Sequence, residues 1–323
     1  SKNDILSYGK VRGSFAMVGK DASPYSTKNY FGTAYIQDPW ATGIQFPFNG
    51  TQGYQAVNVA GNPKLQNEFV YNYEVGTELK FFQNRLGVDF SAYYNKSTNQ
   101  IIPVSISAAT GYASAILNAG SMQNIGLEIM LNATPIKRKD FRWDININWS
   151  KNNSKVLSLY SGLNTLSVGG FSGTTINHII GQPFGVIYTT DFYRDANGNL
   201  IINDDVTSDE YGKPIADPNL KVLGNPNPNF IMGIGNTFTY KRFTLSALLS
   251  WKNGGQMWNG TKSTLVTMGT AQVTENRGSN TVFSGVAGHI DASGNIVHFD
   301  ASGTNEIAGA GATNTVSTPL DQA

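Results

Sequence analysis

Phe69-Val70-Tyr71-Asn72-Tyr73-Glu74-Val75-Gly76-Thr77-Glu78-Leu79-Lys80-Phe81 alternates with a period of two. One parity reads Phe69, Tyr71, Tyr73, Val75, Thr77, Leu79 and Phe81. The other, begun by Glu68, reads Val70, Asn72, Glu74, Gly76, Glu78 and Lys80. That period marks a strand with one apolar and one polar face. Beyond the tight hairpin connection Gln83-Asn84-Arg85, the pattern resumes as Leu86, Val88, Phe90, Ala92 and Tyr94 against Gly87, Asp89, Ser91, Tyr93 and Asn95.

Working outward, the same alternation predicts strands at Ile125–Ala133, Phe141–Ser150, Phe230–Tyr240 and Phe243–Trp251, with a weaker first one over Ile5–Gly19. These are seven strands, with no amphipathic helix among them. Short links fall at 83–85, 134–140 and 241–242, and long ones at 20–67, 98–123, 155–229 and from 252 onward. Short turns on one side and long loops on the other are the asymmetry of outer-membrane barrels. A soluble β-sandwich rarely carries several loops of such length at one end. Aromatics on the apolar parity gather near strand ends: Phe69, Tyr71, Tyr73, Tyr94, Trp149, Phe230 and Trp251 at the long-loop end, and Phe81, Phe141, Trp143, Phe238, Tyr240 and Phe243 at the short-turn end. Interfacial girdles predict this segregation, with Phe90 as the exception.

Composition agrees. Charged residues make up 14% of the 323 residues, against roughly 25% in a typical soluble protein. Gly numbers 35 and Asn 34. The formal charge of +1 carries no nucleic-acid footprint. Zero Cys excludes disulfides and thiolate metal sites and fits an extracytoplasmic location. No run of 18 apolar residues would serve as a membrane-spanning helix. The predicted fold is all-β, part of a large antiparallel transmembrane barrel. Residues 1–252 supply strands with interleaved extracellular loops, and residues 253–323 a truncated extracellular loop region. In hydrocarbon a spanning sheet must close on itself, and seven strands leave two open edges. At about 36 residues per strand a 22-stranded transporter would need about 792 residues. The start at Ser1-Lys2-Asn3-Asp4 and the polar stop at Asp321-Gln322-Ala323 fit the same expectation, a segment of something longer.

Several motifs resemble those of the SusC/RagA family of TonB-dependent outer-membrane transporters. They are Asn62-Pro63-Lys64-Leu65-Gln66-Asn67-Glu68, Tyr73-Glu74-Val75-Gly76, Phe81-Phe82-Gln83-Asn84-Arg85-Leu86, Thr110-Gly111-Tyr112, Asn118-Ala119-Gly120 and Asn124-Ile125-Gly126-Leu127-Glu128. Gly181-Gln182-Pro183-Phe184-Gly185, Leu223-Gly224-Asn225-Pro226-Asn227-Pro228 and Phe238-Thr239-Tyr240-Lys241-Arg242-Phe243 follow in the family's order. The resemblance covers roughly residues 5–255. It implies energised import of oligosaccharides or peptides across the outer membrane of a Gram-negative bacterium of the Bacteroidetes, with a SusD-like surface lipoprotein as lid and TonB pulling from the periplasm. The family's plug, TonB box and final aromatic-ended strand are not recognisable here, so its energising residues map to no position.

The polar parity offers Asn72, Glu74, Glu78, Lys80, Asp89, Glu128, Arg142, Asp144, Asn146 and Asn148 as a lumen wall; generic solvation of a lumen explains the same residues. Loop aromatics Trp40, Tyr54, Tyr112, Tyr160, Tyr193 and Trp258 could stack on sugar rings or contact a lid, or serve ordinary loop packing. Asp195, Asn197 and Asn199 place oxygen ligands at alternating positions, a calcium-loop candidate. Position twelve, however, is Val206 rather than Glu, and an Asn-Gly turn explains the same residues. His178, His289 and His298 lack metal-ligand spacing, and no nucleophile elbow, zinc motif or phosphate loop occurs, so neither enzyme chemistry nor a cofactor is expected. The rival from another class is a secreted β-sandwich adhesin or glycan-binding module, which would bury the apolar parity between two sheets.

Overall fold

Seven long strands pair in sequence order as an antiparallel meander: β1 (Leu6–Lys20), β2 (Glu68–Phe81), β3 (Leu86–Ser105), β4 (Ser114–Lys137), β5 (Phe141–Leu159), β6 (Pro228–Tyr240) and β7 (Phe243–Gly254). The computed structural model describes residues 5–36, 43–171 and 173–319. Contacts divide the chain into two units. The first comprises residues 1–167, 177–186 and 226–256, and the second residues 168–176, 187–225 and 257–323.

All seven expected strands form. Their register keeps each parity together across the sheet, because antiparallel partners opposite one another share a face. Val75 faces Gly13 on one side and Ala92 on the other, and Ile147 faces Leu131 and Ile234. The apolar face is uncovered: Val11 is 84% exposed, Val75 61% and Leu245 67%. A β-sandwich would lay a second sheet on these side chains, so that rival is set aside. Among the described residues, β1 and β7 each pair along one edge alone, and the sheet does not close.

Aromatic rings meet across strands on this face. At the loop side, Phe15 lies 4.9 Å from Tyr73, itself 6.2 Å from Tyr94; Phe230 lies 6.2 Å from Trp149 and 5.1 Å from Trp251. At the turn side Trp143 stacks on Phe238 at 5.6 Å. The turns are tight: Phe82, Gln83 and Asn84 all have positive φ, as does Lys241.

Two loop expectations need correction. The segment 98–123 is mostly strand, since β3 runs to Ser105 and β4 starts at Ser114. The register shifts between Ser97 and Ile101, with Asn99 at φ 55°, which interrupts the two-residue period and hides the strand from sequence. On these extensions Val104, Ala119 and Leu166 form a small core with Ile102, Leu117, Leu159 and Leu163. Segment 155–229 is likewise not plain loop. It holds short strands, among them Thr165–Phe171, Thr174–Ile179, Val186–Phe192, Ile201–Asn203 and Ala216–Gly224, which sustain no two-residue alternation along their length.

In the second unit Ile201–Asn203 runs parallel to Val286–Ile290, which continues antiparallel to Ile296–Phe299 and then Glu306–Ala308. Ile201 and Ile202 are fully buried there. A short helix, α1 (Gly260–Thr267), starts where the Asn259 side chain accepts the Lys262 N–H at 2.9 Å.

Candidate functional site

The face opposite the apolar one carries the polar parity. Register places all ten side chains proposed for a wall on it: Glu78 lies opposite Asp89, Asn72 opposite Asn95, Lys80 opposite Gly87, Asn148 opposite Met130, and Glu128 opposite both Ser91 and Ser150. Arg142, Asp144 and Asn146 follow down β5.

Near the middle of this face lies a cavity of about 490 Å³, lined by Arg12, Glu74, Asp89, Ser91, Glu128 and Met130 among others. Arg12 comes from the weakest strand of the sequence reading, yet it organises the site. Its Nη1 donates to Asp89 Oδ2 at 3.0 Å and its Nη2 to Asp89 Oδ1 at 2.6 Å, a two-pronged charge-assisted pair. Arg12 Nη2 also donates to Ser91 Oγ, and Glu74 lies 3.8 Å from Nε. Gly76 permits this, because a Cβ there would sit 2.7 Å from Arg12 Nε. The guanidinium lies flat along the sheet instead of projecting from it. One cation faces three carboxylates, Glu74, Asp89 and Glu128, so the cavity is acidic.

A second cavity of about 430 Å³ toward the turns is lined by Arg85, Asn132, Thr134, Arg142, Asp144 and Asn146 among others. Arg142 Nε pairs with Asp144 Oδ2 at 2.6 Å, and Thr134 Oγ1 donates to Asp144 Oδ1 at 2.6 Å. Lys80 pairs with Glu78 at 2.9 Å. Amides fill much of the remainder: Asn148 Nδ2 donates to Asn146 Oδ1 at 2.8 Å, Asn146 to Asn132, and Asn152 Nδ2 to Asn124 Oδ1 at 3.2 Å. The Tyr93 ring lies over Gly126, where any Cβ would overlap it, and its hydroxyl donates to Asn152 Oδ1 at 3.3 Å. Such a face is polar and laid down, and much of it is paired, although the side-chain oxygens of Asn72 and Asn95 are buried without a hydrogen-bond partner among the described residues. It offers hydrogen bonds to a solvated cargo or a packed domain, and it assembles no nucleophile with a base.

The loop aromatics are scattered. Trp40 lies outside the described residues. Tyr54 is 69% exposed, Tyr160 is exposed, and Tyr112 and Tyr193 are half-buried. Trp258 packs its ring 6.2 Å from Phe171. Sequence reasoning passed over Tyr25 and Tyr30, whose rings lie 5.5 Å apart; no periodicity marks the loop that carries them. At the calcium-loop candidate, Asp195 Oδ1 accepts the N–H groups of Asn197 and Asn199, and Oδ2 accepts Asn199 Nδ2. These bonds close a turn with Gly198 at φ 86° and hold the Asp195 carboxyl below the usual carboxylate range. Asp291 with Ser293 and Asn295 repeats the arrangement.

His289 anchors the second unit. Its Nδ1 lies 2.7 Å from Asp204 Oδ1 and its Nε2 3.2 Å from Glu306 Oε1, while the ring stacks on Phe299 at 4.3 Å. Burial opposes the charged imidazole, but the two carboxylates outweigh it, and the pKa is raised. His178 has the opposite setting. Its ring sits 4.2 Å from Phe184, and burial lowers its pKa.

The description "TonB dependent receptor-like, beta-barrel" matches residues 11–314. The chain belongs to that family. Among curated relatives, TonB-dependent receptor P3 of Formosa agariphila is 26% identical over 282 residues, covering 80% of this chain and 27% of its own length. TonB-dependent receptor SusC of Bacteroides thetaiotaomicron is 27% identical over 212 residues, covering 62% of this chain and 21% of itself. Among solved structures, that of the RagAB peptide transporter superposes with a TM-score of 0.59 at 20% identity, covering 78% of this chain and 27% of that one, which supports the barrel fold. The chain spans about a quarter of the length of the curated relatives it matches. Members of this receptor family reside in the outer membrane, and these relatives are named as receptors, not as enzymes.

Proposed function

We propose that this chain forms part of the wall and extracellular loops of an outer-membrane transporter that imports oligosaccharides or peptides. The observation that carries the reading is the opposition of two faces on one sheet. One face exposes aliphatic side chains between two levels of aromatic rings, as contact with lipid requires. The other pairs charges and amides around one acidic cavity and a second that holds Arg85 and Arg142 with Asp144, as a hydrated lumen or a packed plug requires. On this reading Asn72, Glu74, Glu78, Lys80, Asp89, Glu128, Arg142, Asp144, Asn146 and Asn148 face the lumen. The tail at residues 253–323, whose first two residues still end β7, belongs to the cell exterior. Peptides are the cargo named for the RagAB transporter, whose fold this chain shares, and oligosaccharides are the other class that the resemblance to the SusC/RagA family implies. A SusD-like lipoprotein would close the mouth, and TonB would act through a plug. The host belongs among the Bacteroidetes, a source in keeping with these relatives.

The test is deletion of the coding region in its host, followed by growth on single oligosaccharide or peptide sources. Loss of growth on one source class is expected. Unimpaired growth and uptake on every source would overturn the reading.

A further inference from the structure

Away from the polar wall, a cavity of about 320 Å³ sits at the loop-side ends of β3 and β4. Ile101 and Pro103 of β3 and Ile116 of β4 line it, with Val59, Tyr25, Tyr30 and Lys28 from the loop after β1. Register shifts near Asn99 and Ala119 separate these strand ends from the alternation below them; on the extension Ile101, Pro103 and Ile116 share one face, while Ile102, Val104 and Leu117 share the other with the small core.

The site is built before any ligand arrives. Tyr25 holds a left-handed backbone at φ 68°, which costs a bulky residue about 1 kcal/mol or more, and its ring is left 70% exposed. Backbone strain spent on holding an aromatic ring in solvent is the kind of outlier that accompanies a binding clamp. The segment is clamped from below: Asn62 N donates to Ser26 O at 2.9 Å, Gly61 N to Asn29 Oδ1 at 2.8 Å, and Val57 N to Tyr30 O at 3.1 Å. Its backbone rests directly on Gly61, where a Cβ would come within 2.6 Å of the Lys28 carbonyl carbon.

The lining also selects a chemistry. A sugar ring needs several hydrogen-bond partners around its hydroxyls. This lining supplies Lys28, Ser23, the buried Ser26 and the Tyr25 and Tyr30 hydroxyls, with no carboxylate or side-chain amide to hold two neighbouring sugar hydroxyls at once. Lys28 is the one charged group in it, and among the described residues no carboxylate pairs with its ammonium. We infer that this cavity is a peptide-binding subsite that seats a large apolar side chain between Tyr25 and the aliphatic floor, with the peptide's C-terminal carboxylate on Lys28. The subsite rests on the import reading for its biological purpose, and it narrows the cargo to peptides.

The experiment is calorimetric titration, in detergent, of the whole receptor of which this chain is proposed to form part of the wall, with three probes: Gly-Gly-Phe as the free acid, Gly-Gly-Phe amide, and maltotriose. The free acid is expected to bind, and the amide to bind roughly tenfold more weakly for want of a charge-assisted bond. Lys28→Gln should bring the acid down to the level of the amide. Tyr25→Ala should weaken both peptides roughly tenfold through the lost aromatic contact, and Val59→Trp, which fills the floor, should abolish both. Equal affinity for acid and amide, peptide binding indifferent to Tyr25→Ala and Val59→Trp, binding of maltotriose alone, or no peptide binding at all would each overturn the proposal. Peptide binding in a protein whose deletion leaves uptake unchanged would instead overturn the import reading and leave the subsite standing.

Discussion

Ile147→Arg tests the two-faced wall most directly. Ile147 lies on the apolar parity of β5, flanked by Leu131 of β4 and Ile234 of β6, with no polar side chain directly opposite it. Along β5 the aromatic ends of that face are Phe141 and Trp149. Eight residues of antiparallel strand cover about 27 Å, or roughly 21 Å of bilayer depth at a tilt of about 40°, close to the ~25 Å apolar band of outer-membrane barrels. Ile147 therefore sits ~5 Å from the centre of the band. An arginine there should cost about 2–3 kcal/mol, a little under the midplane value, which lowers the folding equilibrium constant roughly 30- to 150-fold. Asn148→Arg, one residue along the same strand, points to the other face opposite Met130 and Gly233. It should cost about 1 kcal/mol or less, as lumen substitutions do. The assay is denaturant unfolding, from lipid vesicles, of the whole receptor of which this chain is proposed to form part of the wall, followed by tryptophan emission, with Ile147→Ala as the control for lost packing. If Asn148→Arg costs as much as Ile147→Arg, the two faces have been assigned wrongly.

Gly126→Val should expel the Tyr93 ring from its place over β4 and break its bond to Asn152, at about 1–3 kcal/mol of overpacking, measured by the same unfolding assay. Leu166→Ala hollows the small loop-side core of Val104 and Ala119, and should cost about 2–3 kcal/mol locally. Limited proteolysis should then cut between residues 159 and 166 well before it cuts the sheet; unchanged resistance would count against that core. For His289 the pKa is raised in the folded state, so its ionic bonds to Asp204 and Glu306 contribute fully below the ordinary value of about 6.5 and fade as pH rises through the higher folded value. An NMR titration placing the His289 pKa below the ordinary value would refute this. The Asp195 and Asp291 turns have depressed carboxyl pKa values, so their contribution holds above the ordinary range near 3.9 and is lost as pH falls through the lower folded values. Carboxyl NMR shifts that titrate at the ordinary value would show the turns to be open in solution.

Much of the wall was legible in one dimension, because a strand assigns faces by parity alone. Phe69–Phe81 announces its two faces without any partner, and a run such as Phe141-Arg142-Trp143-Asp144 needs only the two-residue period to sort lipid-facing from polar positions. Aromatic placement at strand ends was readable for the same reason, since depth in a bilayer is position along the strand. Sequence missed whatever breaks the period. The shift near Asn99 concealed the upper part of β3, and the short strands between Thr165 and Gly224 sustain no alternation along their length.

The tertiary structure alone decided which polar groups meet. Arg12 and Asp89 are 77 residues apart and come together only because β1 and β3 both flank β2, and Gly76 leaves room between them. Tyr25, Lys28, Ile101 and Ile116 share a cavity because hydrogen bonds from residues 57–62 fold the loop after β1 onto the sheet. The sequence by itself determined the faces, since side-chain direction along a strand is a local property. The sites were left to the fold, because register and loop closure are relations between segments that no local period records.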